Sequence, residues 1–289
     1  MSNVQLKLAK SGYWKVEPRP TKAMLQEFYS KYHDTPHGNY SHAYSDEEVS
    51  YFQSNGRLLE TVVSEQAEKG LVIDLGCGEG WDLSAFNSKD WNVCGMDATP
   101  AGLKRCNPDL EDNFQTFDLS EPLTEVRDIL GQANAVIMRN VLEHVLDPSQ
   151  LISELHSLTA ENTVFAFIVP NDGSEFQVLI ESKNLAPKQH WMAYPDHLHY
   201  FSSHSLKRFL KEEKMEVIDM ISDFHIEMDL LAKDSNYKLD GKKGKAAHEK
   251  RINFVNFLHT QPIENVKAYL RAQANLGLGR NVTAICRKI

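Results

Sequence analysis

The sequence predicts an open α/β fold, in which a mostly parallel sheet carries helices on both faces. The run from Leu71 to Leu75 has the length and apolar character of a buried parallel strand, and a turn containing Gly76, Gly78 and Gly80 follows it directly. The stretch from Trp81 to Phe86 then begins a helix. A strand, a glycine turn and a helix in this order form the unit that holds a nucleotide at the carboxyl edge of such a sheet.

The spacing of the glycines is G-x-G-x-G, with Asp74 at the end of the strand. A dinucleotide site has the different spacing G-x-G-x-x-G, whose last glycine packs the helix on the strand. The segment resembles motif I of class I S-adenosylmethionine-dependent methyltransferases, V-x-D-x-G-C-G-x-G. That resemblance implies S-adenosylmethionine as cofactor and a Rossmann-like fold with a seven-stranded, mostly parallel sheet and an antiparallel last strand. It also implies cofactor contacts from the motif positions, which are Asp74, Gly76, Cys77, Gly78 and Gly80.

Composition narrows the class of protein. The 289 residues are 42% hydrophobic and 25% charged, which is ordinary for a soluble globular chain. The formal net charge of −9 opposes non-specific binding to nucleic acid. The sequence has no apolar run long enough to span a membrane, and its first ten residues lack the apolar core of a secretion signal. The cysteines show no metal-like spacing, so we expect reduced thiols and a cytoplasmic protein; they are Cys77, Cys94, Cys106 and Cys286.

Residues 1–50 are predicted to form a helical, aromatic-rich extension before a methyltransferase domain at 51–289. Thr21 can cap one helix, and Ser45 with Glu48 forms a capping box that opens a second. In methyltransferases of this class, N-terminal helices commonly cover the cofactor and acceptor pocket. The aromatic and histidine side chains therefore either form a lid or seal the edge of the core; they are Tyr13, Trp14, Phe28, Tyr29, Tyr32, His33, His37, Tyr40, His42 and Tyr44.

A second strand, Trp91 to Asp97, ends in an acid that lies 97 − 74 = 23 positions after Asp74. A carboxylate at this strand end can accept hydrogen bonds from both hydroxyls of a ribose. We therefore assign the ribose to Asp97, with Ala98 beside it. Thr99 and Pro100 are predicted to open the next helix as its cap and its first residue.

A third strand, Phe114 to Phe117, is followed by Asp118 and Leu119. In the family an acid here binds the adenine amino group, and the backbone of its neighbour reaches the ring. The same three residues, Asp-Leu-Ser, are also typical of a plain turn.

The fourth strand, Ala133 to Met138, leads into Arg139 and Asn140, where the resemblance places the methionine part of the cofactor. The segment is similar to that of small-molecule methyltransferases, including the ubiquinone-biosynthesis O-methyltransferases. In those enzymes an additional acid occupies the position of Asn140 and completes a metal site with a Glu-His pair. Because that acid is missing, we expect no metal here, and we expect Glu143 and His144 to fix the loop by hydrogen bonding.

The stretch from His190 to Phe201 resembles the segment W-x-x-x-P-x-H-x-x-x-F-S of a broad subfamily that methylates sugars, quinones and other small metabolites. Histidine is the side chain best suited to act as a base near neutral pH. His197 and His199 are two positions apart and share a face in an extended chain, and His190 lies just upstream. These three residues are the candidate catalytic bases.

The remaining elements are a fifth strand at Thr163 to Val169, a sixth at Glu216 to Ile221 and a last strand at Asn281 to Arg287. About sixty residues, near 223–279, separate the last two strands. This insertion is predicted to be helical and either walls the acceptor pocket or forms a dimer surface.

The sequence therefore predicts a methyltransferase that modifies a hydroxyl or amine of a small metabolite. A sugar or secondary metabolite is the first choice of acceptor, and a phenolic or quinone-like compound is the second. We expect no nucleic-acid substrate, since Arg139 to Leu142 stands where an N/D-P-P-Y/F motif would be. The chain is expected to be a monomer or homodimer. A catalytically silent S-adenosylmethionine-binding protein and an NAD-dependent oxidoreductase are the alternatives.

Overall fold

A computed structural model describes residues 4–33 and 43–289. Its central sheet, counted within those residues, has seven strands in the order β5-β4-β3-β6-β7-β10-β9. The strands are β3 (Leu71–Leu75), β4 (Asn92–Asp97), β5 (Phe114–Thr116), β6 (Ala133–Arg139), β7 (Val164–Pro170), β9 (Met215–Ser222) and β10 (Asn281–Lys288). In the described part of the chain β3 to β7 pair in parallel, whereas β10 runs antiparallel to both β7 and β9. The predicted open α/β fold with an antiparallel last strand is confirmed.

The central strands are apolar because both faces of the sheet are covered. Side chains alternate along β6, so that Val136 and Met138 pack in one core cluster while Ala135 and Ile137 pack in the other. Every residue of β7 is buried. A parallel sheet covered on both faces gives continuous hydrophobic runs of this kind, which is why these strands were predictable from sequence.

Helices cover both faces of the sheet and follow the predicted caps. They are α1 (Lys22–His33), α2 (Asp46–Ser64), α3 (Trp81–Asn87), α4 (Ala101–Cys106), α5 (Arg127–Leu130), α6 (Pro148–Leu158), α7 (Glu175–Ser182), α8 (Ser203–Glu212), α9 (Gly244–Leu258) and α10 (Ile263–Asn275). The capping box of Ser45 and Glu48 is present at the start of α2, and Asp147 caps α6 ahead of Pro148. Pro100 is the cap of α4, one position later than predicted, while the Thr99 hydroxyl accepts from the Ala101 N–H at 3.3 Å.

A small antiparallel sheet, which the sequence analysis does not predict, joins the N-terminus to the body of the protein. Strands β1 (Gln5–Leu8) and β2 (Trp14–Glu17) form a hairpin, and β2 pairs with the two-residue strand β8 (His199–Tyr200). A bridge between Asn171 and Phe201 connects this region to the end of β7. The pairing fixes the loop before β8 against the carboxyl edge of the central sheet.

The predicted insertion holds α9 and α10, together with 3-10 turns at Ile226–Leu231 and Gly241–Lys243. Helix α10 packs on the same face of the central sheet as α2. Its residues Val266 and Leu270 belong to the core cluster that also contains side chains of α2. Among residues 4–33 and 43–289, no helix combines the length and apolar character that crossing a bilayer requires.

Of the predicted lid residues, Tyr13 is buried against Phe201 and Phe209 and seals the core. Tyr44 lies instead beside the glycine turn. The side chains of Tyr29, Tyr32 and His33, and the whole of His37, Tyr40 and His42, lie outside the described residues.

Candidate functional site

The glycine turn after β3 depends on backbone conformations that other residues rarely adopt. Gly76, Gly78 and Gly80 have φ angles of 81°, 51° and 76°. A Cβ on Gly76 would lie 2.5 Å from Cγ2 of Val141, so the loop after β6 closely approaches the turn. The N–H groups of Gly76 and Cys77 donate to the Met96 carbonyl at 2.7 and 3.1 Å. The turn is therefore fixed between the ends of β4 and β6.

Asp97 at the end of β4 lies directly beside this turn. Its Oδ2 accepts from the Gly78 N–H at 3.0 Å, and its Oδ1 accepts from the Thr99 N–H at 3.3 Å. The side chain is partly exposed, and Ala98 is exposed beside it. Backbone donors therefore fix the orientation of the Asp97 carboxylate.

The loop after β5 meets the turn through Leu119. The position of a Cβ on Gly76 would be 3.8 Å from Cδ1 of Leu119. Asp118 is exposed, and its Oδ1 accepts from the Ser120 N–H at 2.8 Å. Leu119 and Asp118 therefore stand at the same edge, with Asp118 at the surface.

Arg139 is held by Asp82, a residue that the sequence analysis did not select. Its Nε donates to Oδ2 of Asp82 at 2.6 Å and its Nη2 donates to Oδ1 at 3.1 Å, which is the two-pronged geometry of a strong ion pair. Asp74 is 2% exposed, and its Oδ1 has no hydrogen-bond partner within the described residues. Burial, with the nearby Asp82 charge, raises the pKa of Asp74 well above its usual range. Asn140 has a φ of 53°, and its N–H donates to the Ile168 carbonyl at 2.8 Å.

The carboxylate of Glu79, inside the glycine turn, accepts hydrogen bonds from three side chains. It accepts from the Tyr44 hydroxyl at 2.9 Å, from Nη2 of Arg105 at 2.7 Å and from the Trp81 indole N–H at 2.8 Å. Tyr44 precedes α2, so this network ties the N-terminal segment to the turn. No sequence pattern reveals this network, because the three donors come from separate elements.

A buried polar cluster lies at the same edge, beyond Val141. It contains Glu143 after β6, Asp172 after β7 and His197 before β8. Glu143 and Asp172 are each 1% exposed. Within the described part of the chain, both carboxylate oxygens of Glu143, Oδ2 of Asp172 and Nδ1 of His197 have no hydrogen-bond partner. Buried polar atoms are ordinarily paired, so the cluster has the character of a binding site.

His144 connects this cluster to the loop before β8. Its Nδ1 lies 2.9 Å from the Asp196 carbonyl oxygen and 3.2 Å from Oδ1 of Asp196, and its Nε2 lies 3.7 Å from Oε1 of Glu143. The rings of His144 and His197 are 4.8 Å apart at an angle of 88°. One donor atom each from Glu143, His144 and His197 lies within 4.8 Å of the others, a spacing at which a metal ion can be held.

Burial and charge shift the pKa values of this cluster in different directions. Burial raises the pKa of Glu143 to about 7. Burial disfavours the charged form of His144, but its hydrogen bond to Asp196 and the Glu143 charge outweigh that effect and raise its pKa to about 9. Burial, followed by the charge of His144, lowers the pKa of His197 to about 4.

Of the three histidines that the sequence selects as bases, the structure brings only His197 into the cluster. His199 is buried edge-on against Tyr13, with Nε2 at 3.0 Å from the Val145 carbonyl oxygen. Nδ1 of His190 lies 3.2 Å from Oε1 of Glu181. Backbone hydrogen bonds from Leu198 and His199 to the Glu143 carbonyl, at 2.8 and 3.1 Å, hold the two loops together.

Arg280, which follows the insertion, connects Asp172 to a residue of the insertion. Nη1 of Arg280 donates to Oδ1 of Asp172 and lies 3.7 Å from Oε1 of Glu227, in the first turn of the insertion. Burial disfavours the charge of Arg280, but these two carboxylates outweigh it and raise its pKa. A cavity of about 70 Å³ lies on the α2 side of the same edge and is lined by Tyr51, Arg139, Asp223, His259 and Gln273, among others.

The sequence of residues 47–219 matches the family model of a methyltransferase domain. A search of curated proteins finds no match. Among solved structures, 1,6-didemethyltoxoflavin-N1-methyltransferase from Burkholderia thailandensis, solved with 1,6-didemethyltoxoflavin and S-adenosylhomocysteine, is 13% identical. The match covers 100% of this chain and 96% of that one, with a TM-score of 0.50.

Two further structures are similar over much of their length. A SAM-dependent methyltransferase from Archaeoglobus fulgidus is 17% identical, with 93% of this chain and 100% of that chain covered and a TM-score of 0.47. Magnesium protoporphyrin IX methyltransferase from Synechocystis, solved with bound SAH, is 18% identical over 69% of this chain and 87% of that one, with a TM-score of 0.42.

Proposed function

The chain belongs to the methyltransferase domain family, and from that premise we propose that it transfers the methyl group of S-adenosylmethionine to a hydroxyl or amine of a small metabolite. A sugar or secondary metabolite is the first choice of acceptor, and a phenolic or quinone-like compound is the second. One observation supports this best: the glycine turn with Asp97 and the buried cluster of Glu143, Asp172 and His197 lie along one sheet edge.

The cofactor half of the proposal uses the turn and Asp97. The positive φ angles of the glycines expose backbone against which a ligand can lie. Backbone N–H groups donate to both oxygens of Asp97 and orient the carboxylate, and a carboxylate at this strand end can accept hydrogen bonds from the ribose hydroxyls. Leu119 and Asp118 would hold the adenine, while Arg139 and Asn140 would border the methionine part.

When bound, S-adenosylmethionine would supply a methyl group activated by its sulfonium sulfur; the carbon–sulfur bond would break as the acceptor's oxygen or nitrogen bonds to the methyl carbon, and S-adenosylhomocysteine would be the leaving group. The chain has to align the acceptor, exclude water and receive the acceptor's proton. Alignment can lower the barrier by about 7–11 kcal/mol, because it makes the step effectively unimolecular.

The acceptor half of the proposal uses the buried cluster. Its unsatisfied atoms are hydrogen-bond acceptors on Glu143 and Asp172, together with Nδ1 of His197. Hydroxyl and amine groups supply the donors that such atoms lack, and the same atoms can take up the acceptor's proton. We therefore assign the catalytic role to His197 and this cluster, and we assign His199 and His190 to holding the surrounding loops.

The test is transfer of labelled methyl groups from S-adenosylmethionine to a panel of nucleotide sugars, amino sugars and phenols. We expect label in at least one compound, and we expect Asp172→Asn to reduce transfer without changing affinity for S-adenosylhomocysteine. Binding of S-adenosylhomocysteine with no transfer to any class would instead support a catalytically silent binding protein.

A further inference from the structure

Two carboxylates share one histidine in the buried cluster, because Glu143 and Asp196 both lie within ion-pair distance of His144. Glu143 is almost fully buried, and neither of its carboxylate oxygens has a hydrogen-bond partner there. Asp172 adds a third carboxylate, which pairs with Arg280. A buried carboxylate whose oxygens accept no hydrogen bond is costly, so a metal ion that bonds directly to Glu143 would be stabilised here.

We propose that Glu143, His144 and His197 bind one divalent transition-metal ion. The inference goes beyond methyl transfer, since it concerns a second ligand at the acceptor end of the site; with the ion bound, Glu143 and His197 would be ligands, and Oδ2 of Asp172 would remain to take up the acceptor's proton. It rests on three residues from two separate loops whose donor atoms lie within 4.8 Å of one another.

Only small movements of side chains would bring these three donor atoms to the distances of a zinc site. Zinc bonds to imidazole nitrogen and carboxylate oxygen are about 2.0–2.2 Å long, which places the donors of a tetrahedral site about 3.5 Å apart. Oε1 of Glu143 and Nε2 of His144 are already 3.7 Å apart. His197 therefore has to approach by about 1 Å, and rotation of side chains on these loops can supply that movement.

His144 has the second partner that metal-binding histidines usually have. Its Nδ1 contacts the carbonyl and the carboxylate of Asp196, while its Nε2 faces Glu143. A carboxylate on the far nitrogen orients the ring and makes the near nitrogen a better ligand. Asp196 is the residue before His197, so one loop would supply both a ligand and the support for another.

This ligand set differs from that of the ubiquinone-biosynthesis O-methyltransferases. In those enzymes the third ligand is an acid at the position of Asn140, and that acid is missing here. His197 approaches the Glu-His pair from the loop before β8, where the bonds of Leu198 and His199 to the Glu143 carbonyl hold it. The sequence contains no spacing that would reveal this set.

The donor types indicate which ion would bind. Two imidazole nitrogens and one carboxylate favour zinc, iron, nickel or copper over magnesium and calcium, which prefer oxygen ligands. Three protein ligands would leave a position open for water or an acceptor oxygen, as in catalytic rather than structural zinc sites.

The test is calorimetric titration of the full chain with Zn²⁺, with Mg²⁺ for comparison. We expect one equivalent of Zn²⁺ to bind and Mg²⁺ to bind far more weakly. Glu143→Gln and His197→Gln should each weaken Zn²⁺ binding by at least 100-fold, and Asp196→Asn by about 10–100-fold. The matched control is His204→Gln, an exposed histidine on α8, which should bind Zn²⁺ like the wild type.

A second measurement on the unaltered chain does not depend on the variants folding. Zinc X-ray absorption should show nitrogen and oxygen ligands with imidazole scattering and no sulfur. The proposal is overturned if the wild type binds no Zn²⁺, if both ligand variants bind it normally, or if sulfur from a cysteine coordinates it. Because binding is measured directly, these outcomes are independent of whether the chain transfers methyl groups.

Discussion

Replacing Gly76 by alanine tests how closely the β6 loop approaches the glycine turn. The new Cβ would lie 2.5 Å from Cγ2 of Val141, at a φ of 81°. The left-handed conformation costs a non-glycine residue about 1–2 kcal/mol. Overlap with a packed neighbour costs about 1–3 kcal/mol more. We therefore expect Gly76→Ala to lower the free energy of unfolding by about 2–5 kcal/mol and to weaken S-adenosylhomocysteine binding at the displaced turn.

A double-mutant cycle separates the two costs. Val141→Ala alone should cost about 1.5 kcal/mol through lost buried surface. In the double variant the overlap disappears while the φ cost remains, so the combined loss should be smaller than the sum by about 1–3 kcal/mol. Urea denaturation measures all three variants. The matched control is Gly131→Ala, whose Cβ would have its nearest contact at 3.4 Å and which should be neutral or slightly stabilising. Strict additivity of Gly76→Ala and Val141→Ala would refute the close approach.

Three further outcomes follow from individual contacts. Arg139→Lys should lower the free energy of unfolding by about 1.5–3 kcal/mol, because an ammonium cannot form the two-pronged contact with Asp82; an unchanged urea midpoint would contradict this. Tyr44→Phe should cost about 0.5–1.5 kcal/mol by removing the hydroxyl that donates to Glu79, and an equal melting temperature would argue against that bond. Burial lowers the pKa of His259 to about 4, so the unfolded state takes up a proton near pH 6.5 that the folded state does not. Stability should therefore fall as the pH drops from about 6.5 to 4, and His259→Gln should remove about 1–2 kcal/mol of that fall, allowing for the ring's partial exposure; identical pH profiles would refute the assignment.

The parts of the fold that sequence predicted are those specified by neighbouring residues. Strand β3 was predicted with its observed bounds because its apolar run ends at a glycine turn. The start of α2 was predictable because the capping bonds between Ser45 and Glu48 are local. The single-residue error at Pro100 has the same origin, since a proline fits both the cap and the first helical position.

The parts that sequence did not predict depend on contacts between distant segments. Strand β2 pairs with β8, which has two residues, through Trp14 with Tyr200 and Lys15 with His199. The two residues of β8 are too few to give an alternating pattern, and β2 is at the lower limit of length for one. The expectation of a helical, aromatic-rich N-terminal extension therefore did not include the hairpin.

The candidate site shows the same division. The glycine turn and Asp97 could be found from spacing, because both follow predicted strands. The ion pair of Arg139 with Asp82 and the approach of His197 to Glu143 could not, since each joins loops that only the sheet order brings together. The sequence alone offers three histidines as candidate bases. In the folded structure His197 lies beside Glu143, whereas His199 and His190 contact other residues.

The central claim, that the turn and Asp97 bind S-adenosylmethionine, is tested most directly by calorimetric titration with S-adenosylhomocysteine. Wild type and Asp97→Asn should be compared, with NADH titrated alongside. The asparagine keeps one oxygen for the Gly78 N–H, but its amide nitrogen cannot accept a ribose hydroxyl. We predict binding to the wild type with a Kd on the order of micromolar, a large loss in the variant and no binding of NADH. Equal S-adenosylhomocysteine affinity in the two proteins, or binding of NADH instead, would contradict the account.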